Sequence, residues 1–184
     1  MPIILSSLRI FAATLLVCVV GYTLVVLGIA QAVTPATANG QLLTDLQGRV
    51  VGSRQIAQSF TSPRYFWPRP SAVDYNGQGA GGSNKSPTSP DLTERAAETV
   101  ARYGATAARP LPADLVAASG AGLDPHISLG GALYQVDRVA AARGLAPAAV
   151  RALVEQQAER PGGPFTAGRI VNVLQLNLAL DRQR

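Results

Sequence analysis

IFAATLLVCVVGYTLVVLGIA, running from Ile10 to Ala30, decides how this chain is built. It holds no charged residue and no proline, and after Arg9 the next charge is Asp45. As an α-helix rising about 1.5 Å per residue it reaches about 30 Å, the thickness of a bilayer's hydrocarbon core. A lone segment in lipid must close its backbone hydrogen bonds within itself, which only a helix does. The competing reading is a cleaved signal peptide, because Ala30-Gln31-Ala32 has the small-x-small form of a cleavage site. Signal cores run to about 7–15 apolar residues, and this run is longer. It therefore reads as a retained transmembrane helix over 10–33. A short tail (1–9) precedes it, a linker (34–44) follows, and a soluble domain fills 45–184.

Orientation rests on charge. The terminal amine and Arg9 flank one end of the helix closely, whereas the first arginine past the other end is Arg49. The positive-inside tendency puts Met1 in the cytoplasm and the soluble domain outside. The expected place is the cell (inner) membrane of a bacterium, crossed once. Charged residues make up 15% of the chain, against about 25% in soluble proteins, as an anchor requires. The formal charge is +5, yet Lys and Arg are scattered singly. That pattern argues against nucleic acid and for a solvated surface near anionic lipid headgroups. Cys18, the only cysteine, lies in the apolar run, so the exported domain carries no disulfide and no thiol nucleophile.

The soluble part reads as an α/β (α+β) domain. Arg49-Val50-Val51-Gly52-Ser53 predicts a short strand. Tyr65-Phe66-Trp67, interrupted by Pro63, Pro68 and Pro70, predicts an extended, ordered loop. Residues 76–89, rich in Gly, Ser and Asn, predict a flexible surface loop. They do not form a phosphate loop, because Ser83 and Asn84 separate Gly82 from Lys85. A first helix is capped by Ser89, carries Leu92, Ala96, Val100 and Tyr103 on one stripe, and ends at Gly104. A second starts near Ser128, turns Leu133, Val136 and Ala140 inward, and ends at Gly144. A third begins at Pro147, buries Val150, Leu153 and Val154, and stops before Pro161. Leu115-Val116 and Arg169–Val173 predict strands, and Leu174–Asp181 a closing helix.

Catalytic equipment is thin. His126 is the only histidine, and no nucleophile-elbow pattern surrounds any serine. Asp124-Pro125-His126 reads as a structural turn. Glu94/Glu98 and Glu155/Glu159 sit on solvated helix faces beside Arg102 and Arg151. Arg69, between two prolines and near aromatics, is a candidate partner contact, or else pins its loop by bonding backbone carbonyls. Such a domain suits an accessory subunit. A membrane-tethered exported solute-binding or hydrolytic module is the alternative. Small residues in the span, Gly21 and Gly28 among them, allow close packing against a partner helix.

Several segments together resemble one family. They are Val51-Gly52-Ser53 with Gln58 and Phe60; Tyr65-Phe66 with Arg69-Pro70-Ser71-Ala72; Tyr75-Asn76; Gly81-Gly82-Ser83-Asn84; and Asp114-Leu115-Val116. Ala118 through Ile127, Gln135-Val136 with Arg138-Val139-Ala140, and Val171 through Asp181 complete the series. In order and spacing this resembles the C chain of the Kdp-type potassium-transporting ATPase. Thr23, Arg54-Gln55, Ala57 and Ser89 depart from the family's pattern. The resemblance implies a single-pass subunit of an ATP-driven potassium uptake complex. Its partners would be a P-type ATPase catalytic subunit and a potassium-channel-like subunit, with membrane lipid around the anchor. The family's C chain is described as a catalytic chaperone that raises the ATPase subunit's affinity for ATP. The resemblance thus implies ATP, bound by or with the ATPase subunit, and makes Gln135 and Arg138 nucleotide-binding candidates. It implies no catalytic residue in this chain and no metal site. Potassium would pass through the complex, not bind here. Tyr65, Phe66, Arg69, Gly21 and Gly28 are the partner-contact candidates.

Overall fold

The computed structural model describes every residue except Thr166, Ala167 and Arg184. The chain divides into two compact units, Met1–Leu42 and Leu43–Arg184. In the first, helix α1 (Pro2–Leu15), a π-helical turn (Leu16–Gly21) and α2 (Tyr22–Val33) form one apolar rod, Pro2–Val33. It is long and apolar enough to cross a membrane, and none of its most apolar window is buried in protein. A short helix α3 (Pro35–Ala38) follows, then Gly40 and Gln41 turn the chain at positive φ, 79° and 47°.

The second unit is a mixed helix-and-sheet domain. Strands β1 (Leu42–Thr44) and β2 (Val50–Ser53) form a two-stranded sheet. Its turn closes by Gly48 N–H donating to the Asp45 carbonyl at 3.1 Å and Asp45 N–H to the Arg49 carbonyl at 3.0 Å. Gly48 takes the left-handed position (φ 78°) that such a turn needs. Helix α4 (Pro90–Tyr103) ends at Gly104 in the left-handed conformation, as its sequence predicts. Two details differ. Ser89 occupies the cap position, but its side chain makes no cap hydrogen bond, and Val100 on the expected inner stripe is exposed. The helix lies on the periphery and buries no residue completely.

Leu115-Val116, predicted as a strand, lies in a helical turn α5 (Ala113–Val116). The need to bury Leu115 is met either way (1% exposed), so hydrophobicity alone could not choose the backbone. The sequence reading also missed a strand, β3 (His126–Ser128). It pairs antiparallel with β4 (Ile170–Asn172), placing His126 opposite Asn172, Ile127 opposite Val171 and Ser128 opposite Ile170. Helices α6 (Leu129–Arg143), α7 (Pro147–Gln157) and α8 (Val173–Asp181) cover this ribbon. Ser128 Oγ caps α6 by accepting from Gly131 N at 2.8 Å, and is held by Asp114 Oδ1 at 2.9 Å. Asn172 Oδ1 caps α8 through Gln175 N at 3.1 Å. Ile127, Val136, Val139, Val150, Val154, Val171, Leu176 and Leu180 make the core, with Phe66 inserted into it.

Candidate functional site

The prolines at 63, 68 and 70 keep residues 63–70 out of any helix, and among the described residues no strand pairs with this segment's backbone. Phe66 and Trp67 are nonetheless buried, at 0% and 7% exposure. Their backbone groups need partners, since a buried unpaired one costs about 1–3 kcal/mol. Two side-chain amides supply them. Asn177 from α8 accepts from Phe66 N at 2.8 Å and donates to Phe66 O at 3.1 Å. Gln135 from α6 accepts from Trp67 N at 2.8 Å and donates to Trp67 O at 3.1 Å. Each amide replaces a neighbouring strand for one residue. Arg138, one turn on, donates to the carbonyls of Pro63 (2.7 Å) and Tyr65 (3.0 Å) and to Gln135 Oε1 (2.7 Å).

Around this segment cations and aromatic rings alternate. The Trp67 ring lies between the guanidinium groups of Arg138, 3.7 Å from its centroid, and Arg102, at 4.0 Å. Tyr103 meets Trp67 edge-on at 5.2 Å and Tyr134 at 6.1 Å, and Arg109 covers Tyr134 at 4.5 Å. Burial lowers Arg138 to about 10, partly offset by Tyr103, so it stays cationic at neutral pH. Burial pushes the Tyr103 hydroxyl up to about 12; among the described residues it has no hydrogen-bond partner.

A second node joins two loops. Arg69 donates to the carbonyls of Ala117 (3.4 Å) and Ala118 (3.2 Å) and bridges Asp124 at 3.2 Å. Ser71 Oγ donates to Gly122 O at 2.7 Å, and Gly81 N to Ala121 O at 2.8 Å. Gly122 sits at φ 70°, and a Cβ there would stand 2.7 Å from the Gly81 carbonyl and 2.5 Å from Val73. A Cβ on Gly82 would meet the Gly120 carbonyl at 2.6 Å. Part of the glycine-rich loop is thus docked through close backbone contact. Asp124 Oδ1 accepts from His126 N (3.0 Å) and meets its ring Nδ1 at 3.1 Å, forming the expected turn into β3. The His126 side chain, then the backbone N–H and Arg69, hold the Asp124 carboxyl below the usual carboxylate range.

The residues singled out from sequence fall into three groups. Gln135 and Arg138 are brought together, both turned onto residues 63–67. Tyr65 lies on that segment: its hydroxyl donates to Asp181 Oδ2 at 3.1 Å, and Arg143 covers its ring at 4.9 Å. Phe66 is wholly in the core. Arg69 serves the loop node, and Gly21 and Gly28 lie in the apolar rod of the other unit. Sequence reasoning missed Asn177, Arg102 and the Arg143–Asp181 pair (2.8 Å). A polar residue amid the leucines of 173–180 was the available signal for Asn177. Two open grooves of about 290 and 310 Å³ flank Tyr65 and Asp181. Among the described residues no cluster of three or more His, Cys, Asp or Glu is placed to hold a metal.

The class this defines is a small helix-and-sheet domain following one apolar N-terminal helix, its polar side chains spent on fixing loops. Comparison gives the family. The model of the "K+-transporting ATPase, c chain" matches residues 4–182. The potassium-transporting ATPase KdpC subunit of Parvibaculum lavamentivorans is 63% identical over 178 residues, 97% of this chain and 95% of that one. The subunit of the same name from Geobacter sulfurreducens is 48% identical over 164 residues, 87% of each chain. That of Myxococcus xanthus is 47% identical over 185 residues, 97% of this chain and 87% of that one. The chain belongs to the KdpC family, the c subunit of the potassium-transporting ATPase.

Proposed function

We propose that this subunit acts from outside the membrane as a non-catalytic partner. It would stabilise the assembly with the channel-like subunit at the ion entrance, and raise the ATPase subunit's ATP affinity through the complex. ATP itself is held by the ATPase subunit. The observation that supports this is the commitment of Gln135 and Arg138. Both amide ends of Gln135 serve Trp67, and Arg138 serves Pro63, Tyr65 and Gln135. A nucleotide at these residues would have to displace the segment they hold. The Arg9 flank of the apolar helix also favours an outside domain, where ATP is absent. An effect on ATP affinity is then a coupling free energy between subunits, about 1.4 kcal/mol for each tenfold.

Topology reporters fused after Arg184 test the sidedness: activity of a periplasmic reporter is expected, and a cytoplasmic C-terminus overturns the reading. Photo-crosslinking with an ATP analogue tests the nucleotide. Label on the ATPase subunit alone is expected. Label on this chain that disappears in Gln135→Ala, in a variant still assembled in the complex, means direct binding instead. Co-purification in mild detergent with the ATPase and channel-like subunits tests the partnership.

A further inference from the structure

The β1–β2 hairpin presents a feature its turn does not need. Asp45 Oδ1 accepts from Gln47 N and Arg49 N, both at 2.9 Å, and the Asp45 carboxylate pairs with Arg49 at 2.7 Å. Gly48 supplies the positive φ. Those residues fix the turn, and the position between Asp45 and Gln47 is free to be polar. It is Leu46, 58% exposed, accompanied by exposed Leu42 and Val50.

We propose that this hairpin tip is an interfacial anchor that inserts Leu46 among the lipid headgroups of the bilayer that Pro2–Val33 crosses. The proposal rests on reading that helix as a membrane span. Chain length supplies the first argument. Only residues 34–41 separate the apolar rod from β1, and four of them form the helical turn α3. At about 1.5 Å per helical and about 3.5 Å per extended residue, that tether reaches about 20 Å. That covalent length lets the hairpin reach the membrane surface. Side-chain chemistry supplies the second. Protein-binding hot spots favour Trp, Tyr and Arg. Here the exposed groups are aliphatic, and the hairpin's one cation is neutralised by Asp45. Aliphatic side chains at the headgroup–acyl boundary gain by leaving water without a matched pocket.

The test is spin-label depth measurement on the full chain in vesicles of phosphatidylethanolamine and phosphatidylglycerol, alone and with its partner subunits. A nitroxide at Gln47→Cys in a Cys18→Ala background leaves the apolar side chains intact. Labels on native Cys18 and on Lys85→Cys (in Cys18→Ala) mark the span and the water. The Gln47 label should favour oxygen over a water-soluble nickel complex several-fold more than the Lys85 label, and lose that preference in Leu46→Asn. A Gln47 label as nickel-accessible as Lys85, with Cys18 in hydrocarbon, overturns the anchor and leaves the span standing. A Gln47 label shielded from both reagents only when partners are present assigns the face to protein and also overturns it. Nickel access at Cys18 overturns the span reading itself, and the anchor with it.

Discussion

The side-chain amide of Gln135 shows how a single residue can stand in for a strand. Gln135→Ala leaves Trp67 N–H and C=O buried without partners and strips Arg138 of one acceptor. At about 1–3 kcal/mol per orphaned group, the expected loss is about 3 kcal/mol, read as a lower urea midpoint at unchanged slope. Tyr103→Phe is the opposite case. Its hydroxyl is buried without a partner among the described residues, so its removal should be neutral or stabilising by up to about 1 kcal/mol. Alkali should also separate the two proteins. A hydroxyl raised by folding contributes stability that is complete below the unfolded value near 10 and lost as pH rises towards about 12. Tyr103→Phe should therefore resist unfolding better across pH 10–12. Asp124 works on the acid side. Its lowered carboxyl contributes stability above the unfolded value near 3.9, lost as pH falls through the lower folded value. Asp124→Asn should flatten the acid limb of a stability–pH curve, and an unchanged limb would remove the carboxylate from the account.

At the scale of elements, the loop node depends on glycine. Gly122→Ala would force a Cβ to 2.7 Å from a backbone carbonyl at a φ of 70°. It should cost about 2 kcal/mol or more, by strain and by prying the Ser71–Gly82 loop from Ser119–Asp124. Faster amide exchange at Gly81, with protection retained at Ile127, would confirm that the damage is local. The same elements show what the residues disclosed. α6 and α7 were readable because each carries its own period and a proline or glycine boundary; α8 has neither boundary, and its start is marked by the Asn172 side-chain cap. The apolar rod was readable for a different reason, an uncharged run long enough to cross a bilayer. β3 and α5 were not, because three or four residues hold too little pattern to separate strand from turn. In such short pieces the long-range partner decides: β4 for His126–Ser128, Asp114 with Ser128 for the turn before it. The candidate site was half legible. Pro63, Pro68 and Pro70 announced an extended segment, but nothing local announces that Asn177, 111 positions away, completes Phe66.

For the whole molecule, the division into two units makes a claim about where folding free energy resides. Every residue of the core cluster lies between Phe66 and Leu180, inside the second unit. The first unit buries none of its apolar window in protein, so its large apolar surface has no use in water and is stable only in lipid. The two functions, packing and anchorage, should therefore separate on cleavage. A chain beginning at Gln41 is expected to fold as a soluble monomer, with a thermal midpoint within a few degrees of the full-length protein. It should stay in the supernatant when vesicles are floated, since one leucine at a turn with two exposed aliphatic neighbours cannot replace a span. The hairpin would then show only weak, reversible partitioning. If the fragment instead unfolds or aggregates while the full chain in vesicles is stable, the domain draws part of its stability from the membrane or from a partner there. The core described here would then be insufficient alone. Circular dichroism and vesicle flotation on the two chains decide between these outcomes.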